Sequence, residues 1–199
     1  MKKKFLLVLL FSALFPLTLF SASPPVHADE IKSINQLTYV NKMDILSQFA
    51  SDSHLSITEA NQILFSQESA DSKATFARIS YPIQVKNQEK YSRKSVQGHV
   101  IFYCQVSRDG FYKGIQRILY STVSVDSGSF AGKVHYSLTD ANQIRYRLQG
   151  KIFSGTRSRL EPYIQEESIG QLKKAVASQS VYRTNAFFLP LHEEGTLRW

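Results

Sequence analysis

Cysteine is almost absent from this sequence of 199 residues, in which Cys104 is the only one. A single cysteine excludes an intramolecular disulfide, so a stable fold has to rest on its hydrophobic core. The sequence also lacks the paired histidines of zinc sites, the glycine-rich loops that bind phosphates or dinucleotides, and the Gly-x-Ser-x-Gly motif of hydrolases. These absences favour a protein with no metal, no cofactor and no catalytic residue, although they leave enzymatic activity open.

Long apolar runs are confined to the start of the sequence. Three lysines precede an apolar run over residues 5–20, and a small-x-small site follows that ends at Ala28. This order is typical of a secretory signal peptide. A retained membrane anchor is the alternative, but Pro16 interrupts the run, which is shorter than the roughly 20 residues that span a bilayer. We therefore expect a signal peptide over residues 1–28 and a single secreted or surface-associated domain over residues 29–199, without a transmembrane segment.

Positive charge exceeds negative charge, since 24 lysines and arginines face only 16 aspartates and glutamates. Three of the lysines belong to the leader, so the mature domain keeps an excess of five cations. Such an excess favours anionic partners. Together with the leader and the scarcity of cysteine, it predicts an exported protein of a Gram-positive bacterium that contacts a wall polymer, a glycan or a lipid headgroup.

Two consecutive helices are predicted near the start of the mature domain. An amphipathic stretch begins at Asn41, and Ile45, Leu46 and Phe49 follow at helical spacing. A second start lies at Ser56, because a serine followed three residues later by a glutamate forms a capping box. A third helix is predicted from residue 168 onward, with Leu172, Ala175 and Val176 on its apolar side.

Between these helices the apolar period changes to two, which is typical of strands. The predicted strands cover residues 75–85, 96–106, 115–125, 133–138 and 144–153. Their short connections leave no room for crossover helices, so they predict an α+β fold with a four- to five-stranded antiparallel meander and helices on one face. The element order resembles that of the nuclear-transport-factor-like domains, and this resemblance implies a curled, cone-shaped sheet. It rests on no sequence motif.

The fifth predicted strand alternates apolar and basic residues, which suggests a cationic surface. Matching the apolar faces of the last two strands pairs Leu138 with Ile144, Tyr136 with Tyr146, and Val134 with Leu148. The opposite face then carries the residues that we interpret as a binding surface: Lys133, His135, Arg145, Arg147 and Lys151. Arg157 and Arg159 follow in the sequence and are expected nearby. Nucleic acid is disfavoured as the partner, because both tyrosines point to the core and leave no ring for base stacking.

Other readings of the same residues stay open. The basic face can be an ordinary solvated surface in which arginines protect a sheet edge from aggregation. A pocket inside the curled sheet would make the protein a ligand-binding or enzymatic domain. The third alternative is an exported inhibitor or immunity factor whose partner is another protein. Cys104 lies on the opposite strand face from His99 and beside Phe102, so a buried thiol is expected rather than a nucleophile.

Overall fold

The computed structural model describes residues 31–33, 36–66, 74–86, 95–107, 114–154, 158–162, 165–169, 172–181 and 188–198. The predicted leader over residues 1–28 and the predicted surface residue Arg157 lie outside these ranges. Within them, neither helix has the length and apolar character needed to cross a bilayer.

The described residues form two helices and eleven strands. The helices are α1 (Lys42–Ser53) and α2 (Ile57–Phe65). The strands are β1 (Ile31–Ser33), β2 (Gln36–Val40), β3 (Thr75–Lys86), β4 (Ser95–Ser107), β5 (Gly114–Val125), β6 (Ser129–Asp140), β7 (Gln143–Phe153), β8 (Ser158–Leu160), β9 (Gln165–Ile169), β10 (Leu172–Val181) and β11 (Phe188–Arg198). All five strands predicted from the alternation are present, as β3 to β7.

Both helices begin where their capping residues predict. The Asn41 side chain accepts a hydrogen bond from the Asp44 backbone N–H at 2.8 Å, and the Asp44 carboxylate accepts one from the Asn41 backbone N–H at 3.3 Å. Ser56 and Glu59 make the same reciprocal pair, at 3.2 and 2.8 Å. Each capping box satisfies backbone donors that the first helical turn leaves without partners.

The expected single meander is wrong, because the strands divide between two sheets. A four-stranded sheet has the order β2-β3-β4-β5, and a seven-stranded sheet has the order β1-β11-β7-β6-β10-β8, with β9 also paired to β10. The chain crosses from one sheet to the other between Val125 and Ser129. One flat meander would leave the apolar face of the later strands uncovered, whereas two stacked sheets bury both apolar faces against each other.

Aromatic contacts define the layers of the molecule. Phe102 of the four-stranded sheet packs edge-on against Tyr136 and lies 6.0 Å, centroid to centroid, from Tyr146, both of the seven-stranded sheet. On the other face of the four-stranded sheet, Phe49 of α1 contacts Tyr120 at 4.9 Å. The helices therefore cover one face of this sheet, as expected for an α+β protein, and the seven-stranded sheet covers the other.

The predicted C-terminal helix is also wrong. Leu172, Ala175 and Val176, its expected apolar residues, lie in strand β10, which pairs antiparallel with β6. The segment contains valines and serines that favour strands or caps over helix interiors. Pairing with β6 also satisfies the backbone groups along an otherwise open sheet edge, which a helix could not do.

Strand β11 was not predicted from the sequence. It pairs antiparallel with β7 along its whole length, and β1 pairs parallel to it on the other side. Leu189, Leu191 and Leu197 are buried at odd positions, and Pro190, His192, Glu194 and Arg198 at even positions are exposed, so the period-two signal was present in the sequence. Glu193 interrupts this signal at an inward position.

Candidate functional site

The register of the β6–β7 hairpin agrees with the predicted one at every pair. Tyr136 lies opposite Tyr146, and on the outward side His135 lies opposite Arg147. The inward residues are buried in the core except Leu138, which is half-buried at its margin. The outward cations Lys133, Arg145, Arg147 and Lys151 are exposed, whereas His135 is half-buried. We call the outward face of β6, β7 and β11 the basic face.

Strand β11, the third strand of the basic face, contributes both a carboxylate and a cation to it. Glu194 of β11 lies opposite Arg147, and its carboxylate accepts a hydrogen bond from the Arg147 guanidinium at 3.1 Å. Both side chains are about half exposed to solvent, at 57% and 43%, so this ion pair is weak. Arg198 adds a further exposed cation. Asp140, at the end of β6, is a second exposed carboxylate, so among the described residues of these three strands lysines and arginines on the basic face outnumber carboxylates five to two.

Arg159 and Glu193 do not lie on the basic face. Arg159, which was expected near the basic face, is half-buried on β8, and its guanidinium donates a hydrogen bond to the Ser53 carbonyl at the end of α1. Glu193 points inward, where its carboxylate pairs with the Lys32 ammonium at 3.1 Å and accepts a hydrogen bond from the Tyr146 hydroxyl at 3.3 Å. The Lys32 ammonium also lies 5.1 Å from the centre of the Tyr81 ring. Glu193 therefore holds Lys32 at the edge of the seven-stranded sheet, and Lys32 makes the contact with the four-stranded sheet.

A cleft of about 630 Å³ opens between α1 and the helix-facing side of the four-stranded sheet. One wall is α1, from which Asp44, Gln48 and Asp52 line the cleft at intervals of one helical turn. The opposite wall is formed by side chains of the sheet, among them Arg78 and Tyr103. Residues from the ends of β5, β6, β8 and β10 close the cleft: Thr122, Ser124, Ser129, Phe130, Leu160 and Gln179. A pocket inside the curled sheet was the sequence-based alternative to the basic face, but the sequence assigned no residues to it.

Electrostatics set Asp52 apart from an ordinary surface carboxylate. Burial raises its pKa above the usual range, while a hydrogen bond from the Gln48 amide at 2.8 Å and the nearby His54 act in the opposite direction. Desolvation outweighs both contacts, so the carboxylate lies in the cleft without enough compensating positive charge.

Tyr103 lines the cleft and is the cross-strand neighbour of Arg78. Its ring stacks on Tyr120 with centroids 4.5 Å apart. Burial raises the pKa of the Tyr103 hydroxyl, Arg78 opposes this shift, and Asp52 adds to it. Both charged groups are therefore close enough to act on one phenol, yet among the described residues no ion pair joins Asp52 to Arg78.

Cys104 is fully buried, as its strand face predicts, and burial raises its pKa. The described residues hold no cluster of three or more metal-binding side chains. Comparisons with family models, curated proteins and solved structures give no match.

Proposed function

We propose that this protein is an exported, non-enzymatic binding protein that attaches to an anionic polymer or surface through its basic face. The observation that carries the proposal is the regular array of exposed cations on Lys133, Arg145, Arg147 and Lys151. The leader-like pattern of residues 1–28 supports a location outside the cell or at its surface.

The spacing of the array supports a polymeric ligand rather than a single small anion. Alternate residues of a strand lie about 6.6 Å apart, and neighbouring strands lie about 4.8 Å apart. Arg145 and Arg147 are thus one such step apart on β7, and Lys133 lies on the adjacent strand. Separations of this size fall within the screening length of about 8 Å at physiological salt, so the positive potentials of the cations reinforce each other. A repeating anion such as a phosphate-containing wall polymer or a sulfated glycan can contact several of them at once.

The ion pair between Arg147 and Glu194 also fits a binding surface. It is solvent-exposed and contributes little to stability, so an incoming anion can displace Glu194 at low cost. His135 lies opposite Arg147 and adds a half-buried imidazole to the same face.

The test compares the wild type with the double variant Arg145→Ser/Arg147→Ser on phosphocellulose and heparin columns. We expect the variant to elute at much lower salt, because each lost cation removes one contact that salt competes with. Its free energy of unfolding should stay within about 1 kcal/mol of the wild type, since both positions are exposed.

A charge-matched control separates the basic face from overall net charge. The double variant Asn61→Glu/Gln116→Glu also lowers the net charge by two, at exposed positions on α2 and β5. It should elute close to the wild type. Equal losses of retention in both variants would mean that net charge alone drives binding, and unchanged retention of the Arg145→Ser/Arg147→Ser protein would refute the proposed surface.

A further inference from the structure

The cleft beside α1 has a chemistry that the basic face does not explain. Its volume of about 630 Å³ lies within the range of small-molecule sites, which runs from roughly 300 to 1,000 Å³. Its polar groups come from both walls and include acceptors, donors and hydroxyls. A cleft that existed only as a packing defect would be lined mainly by apolar side chains.

Opposite charges face this cleft from different walls. The Asp52 carboxylate extends from α1, and the Arg78 guanidinium extends from β3 across the four-stranded sheet. Tyr103 is the cross-strand neighbour of Arg78, and both charges act on its hydroxyl. In the part of the chain that the structure describes, these two groups do not neutralise each other through an ion pair. Each is only partly exposed to water, so each keeps a desolvation cost that a suitable ligand could offset.

We propose that the cleft binds a small zwitterion, a free amino acid or a short peptide with unblocked ends, whose ammonium group faces Asp52 and whose carboxylate faces Arg78. A ligand of this class supplies both missing counter-charges. A neutral sugar would bury the two charged groups further without compensating either of them, and a simple cation or anion would compensate one.

The neighbouring side chains fit such a ligand. Gln48 already donates to Asp52, which holds the carboxylate in place, and Asp44 adds a second acceptor one turn earlier on the same helix face. The Tyr103 hydroxyl, with Ser124 and Thr122 on β5, offers hydrogen bonds to a peptide group between the two ends. Phe130 and Leu160 provide an apolar lining for side chains of the ligand.

The test is calorimetric titration of the purified protein with alanine, alanylalanine and trialanine. At least one of these should bind, and the preferred length reports the separation of the two charged contacts. For that ligand, acetylating the amino end or amidating the carboxyl end should each weaken binding by about tenfold or more, as expected for losing one charged hydrogen-bonded contact. Glucose, as a neutral probe of similar size, should not bind.

Two single variants assign the ends of the ligand. Asp52→Asn should bind the unblocked and the amino-acetylated ligand with similar affinity, because the contact between the Asp52 carboxylate and the ligand ammonium is lost. Arg78→Gln should bind the unblocked and the amidated ligand with similar affinity, because the contact with the ligand carboxylate is lost. Arg145→Ser on the basic face is the matched control and should titrate like the wild type. Thermal melts of each variant establish that it is folded before titration.

The wild-type titrations decide the proposal even if Arg78→Gln fails to fold. Absence of binding by all three zwitterions would overturn it, and so would equal affinity for blocked and unblocked ligands. Binding of glucose in place of the zwitterions would also overturn it. Loss of column retention concerns the basic face alone, so failure of one site is distinguishable from failure of the other.

Discussion

At the residue scale, burial decides which chemical properties an individual side chain has. Asp52 is one of several charged residues on a helix, and from the sequence alone it would be read as part of a solvated face. The fold places it against the cleft, where burial raises its pKa. Cys104, by contrast, lies where its strand face predicts, because its neighbours on the strand share its burial.

The raised pKa of Asp52 predicts a pH-dependent contribution to stability. The native state holds the Asp52 proton more tightly than the unfolded state, so ionising this group opposes folding. Its contribution is therefore favourable at acidic pH, is lost as pH rises from the ordinary carboxyl range through the raised native pKa, and stays lost at neutral pH. Asparagine does not ionise, so Asp52→Asn should lack this destabilisation. At neutral pH its free energy of unfolding should exceed that of the wild type by up to about 1 kcal/mol, as for a partly exposed group.

Urea unfolding of the wild type and of Asp52→Asn at a series of pH values measures this effect. The two free energies of unfolding should converge toward the acidic end and separate toward neutrality. Asp126→Asn, at an exposed turn, controls for removing a carboxylate and should change stability little. Parallel pH profiles for the wild type and Asp52→Asn would contradict the assignment.

At the scale of elements, one side chain completes an open sheet edge. Strand β5 ends the four-stranded sheet, so one side of its backbone has no partner among the described strands. Gln179 of β10 reaches this edge: its amide oxygen accepts from the Val123 N–H at 2.7 Å and its amide nitrogen donates to the Val123 carbonyl at 3.3 Å. The amide thus replaces a peptide group of a missing strand and ties the two sheets together.

Replacing Gln179 with leucine should therefore be costly. The substitution removes both hydrogen bonds and leaves a buried backbone donor and acceptor without partners, which predicts a loss of about 2 to 4 kcal/mol. Denaturant unfolding measures the loss, and hydrogen exchange at the Val123 amide should accelerate. Gln116→Leu, at an exposed position on the same strand β5, should change stability by no more than about 0.5 kcal/mol. Equal stability of both variants would show that the Gln179 amide is dispensable.

Elements differ in how far the sequence predicts them. The capping boxes at Asn41 and Ser56 and the alternation in β3 to β7 are local signals, and the structure confirms them. The β6–β7 register was also predictable, because a shift by one residue would expose Tyr146 and Leu148 and bury arginines. Strand β10 was read as a helix because its local pattern suits both structures, and pairing with β6 decides between them.

At the scale of the whole molecule, the two sheets share one core. The contacts of Phe102 with Tyr136 and Tyr146 join β4 to β6 and β7, and Phe102 is fully buried. Elements that share a core in this way are expected to unfold together.

Phe102→Ala tests this coupling. Removing a buried aromatic ring should cost about 3 to 5 kcal/mol. Because the ring contacts both sheets, hydrogen exchange should accelerate to a similar extent at protected amides of β4 and of β7. Accelerated exchange in the four-stranded sheet alone would mean that the sheets unfold independently. Tyr39→Ala, at an exposed aromatic position on β2, is the control and should leave both sheets protected.

The sequence alone determined what depends on neighbours along the chain: the helix starts, the five central strands, the burial of Cys104, and the side of β7 on which its arginines lie. These features follow from capping chemistry and from a side-chain period of two, both of which act over a few residues. Only the tertiary structure decided the division into two sheets, the strand conformation of β10, the pairing of Glu194 with Arg147 and the cleft beside α1. Each of these brings together residues far apart in the chain, and what they contact depends on which apolar faces can be buried together.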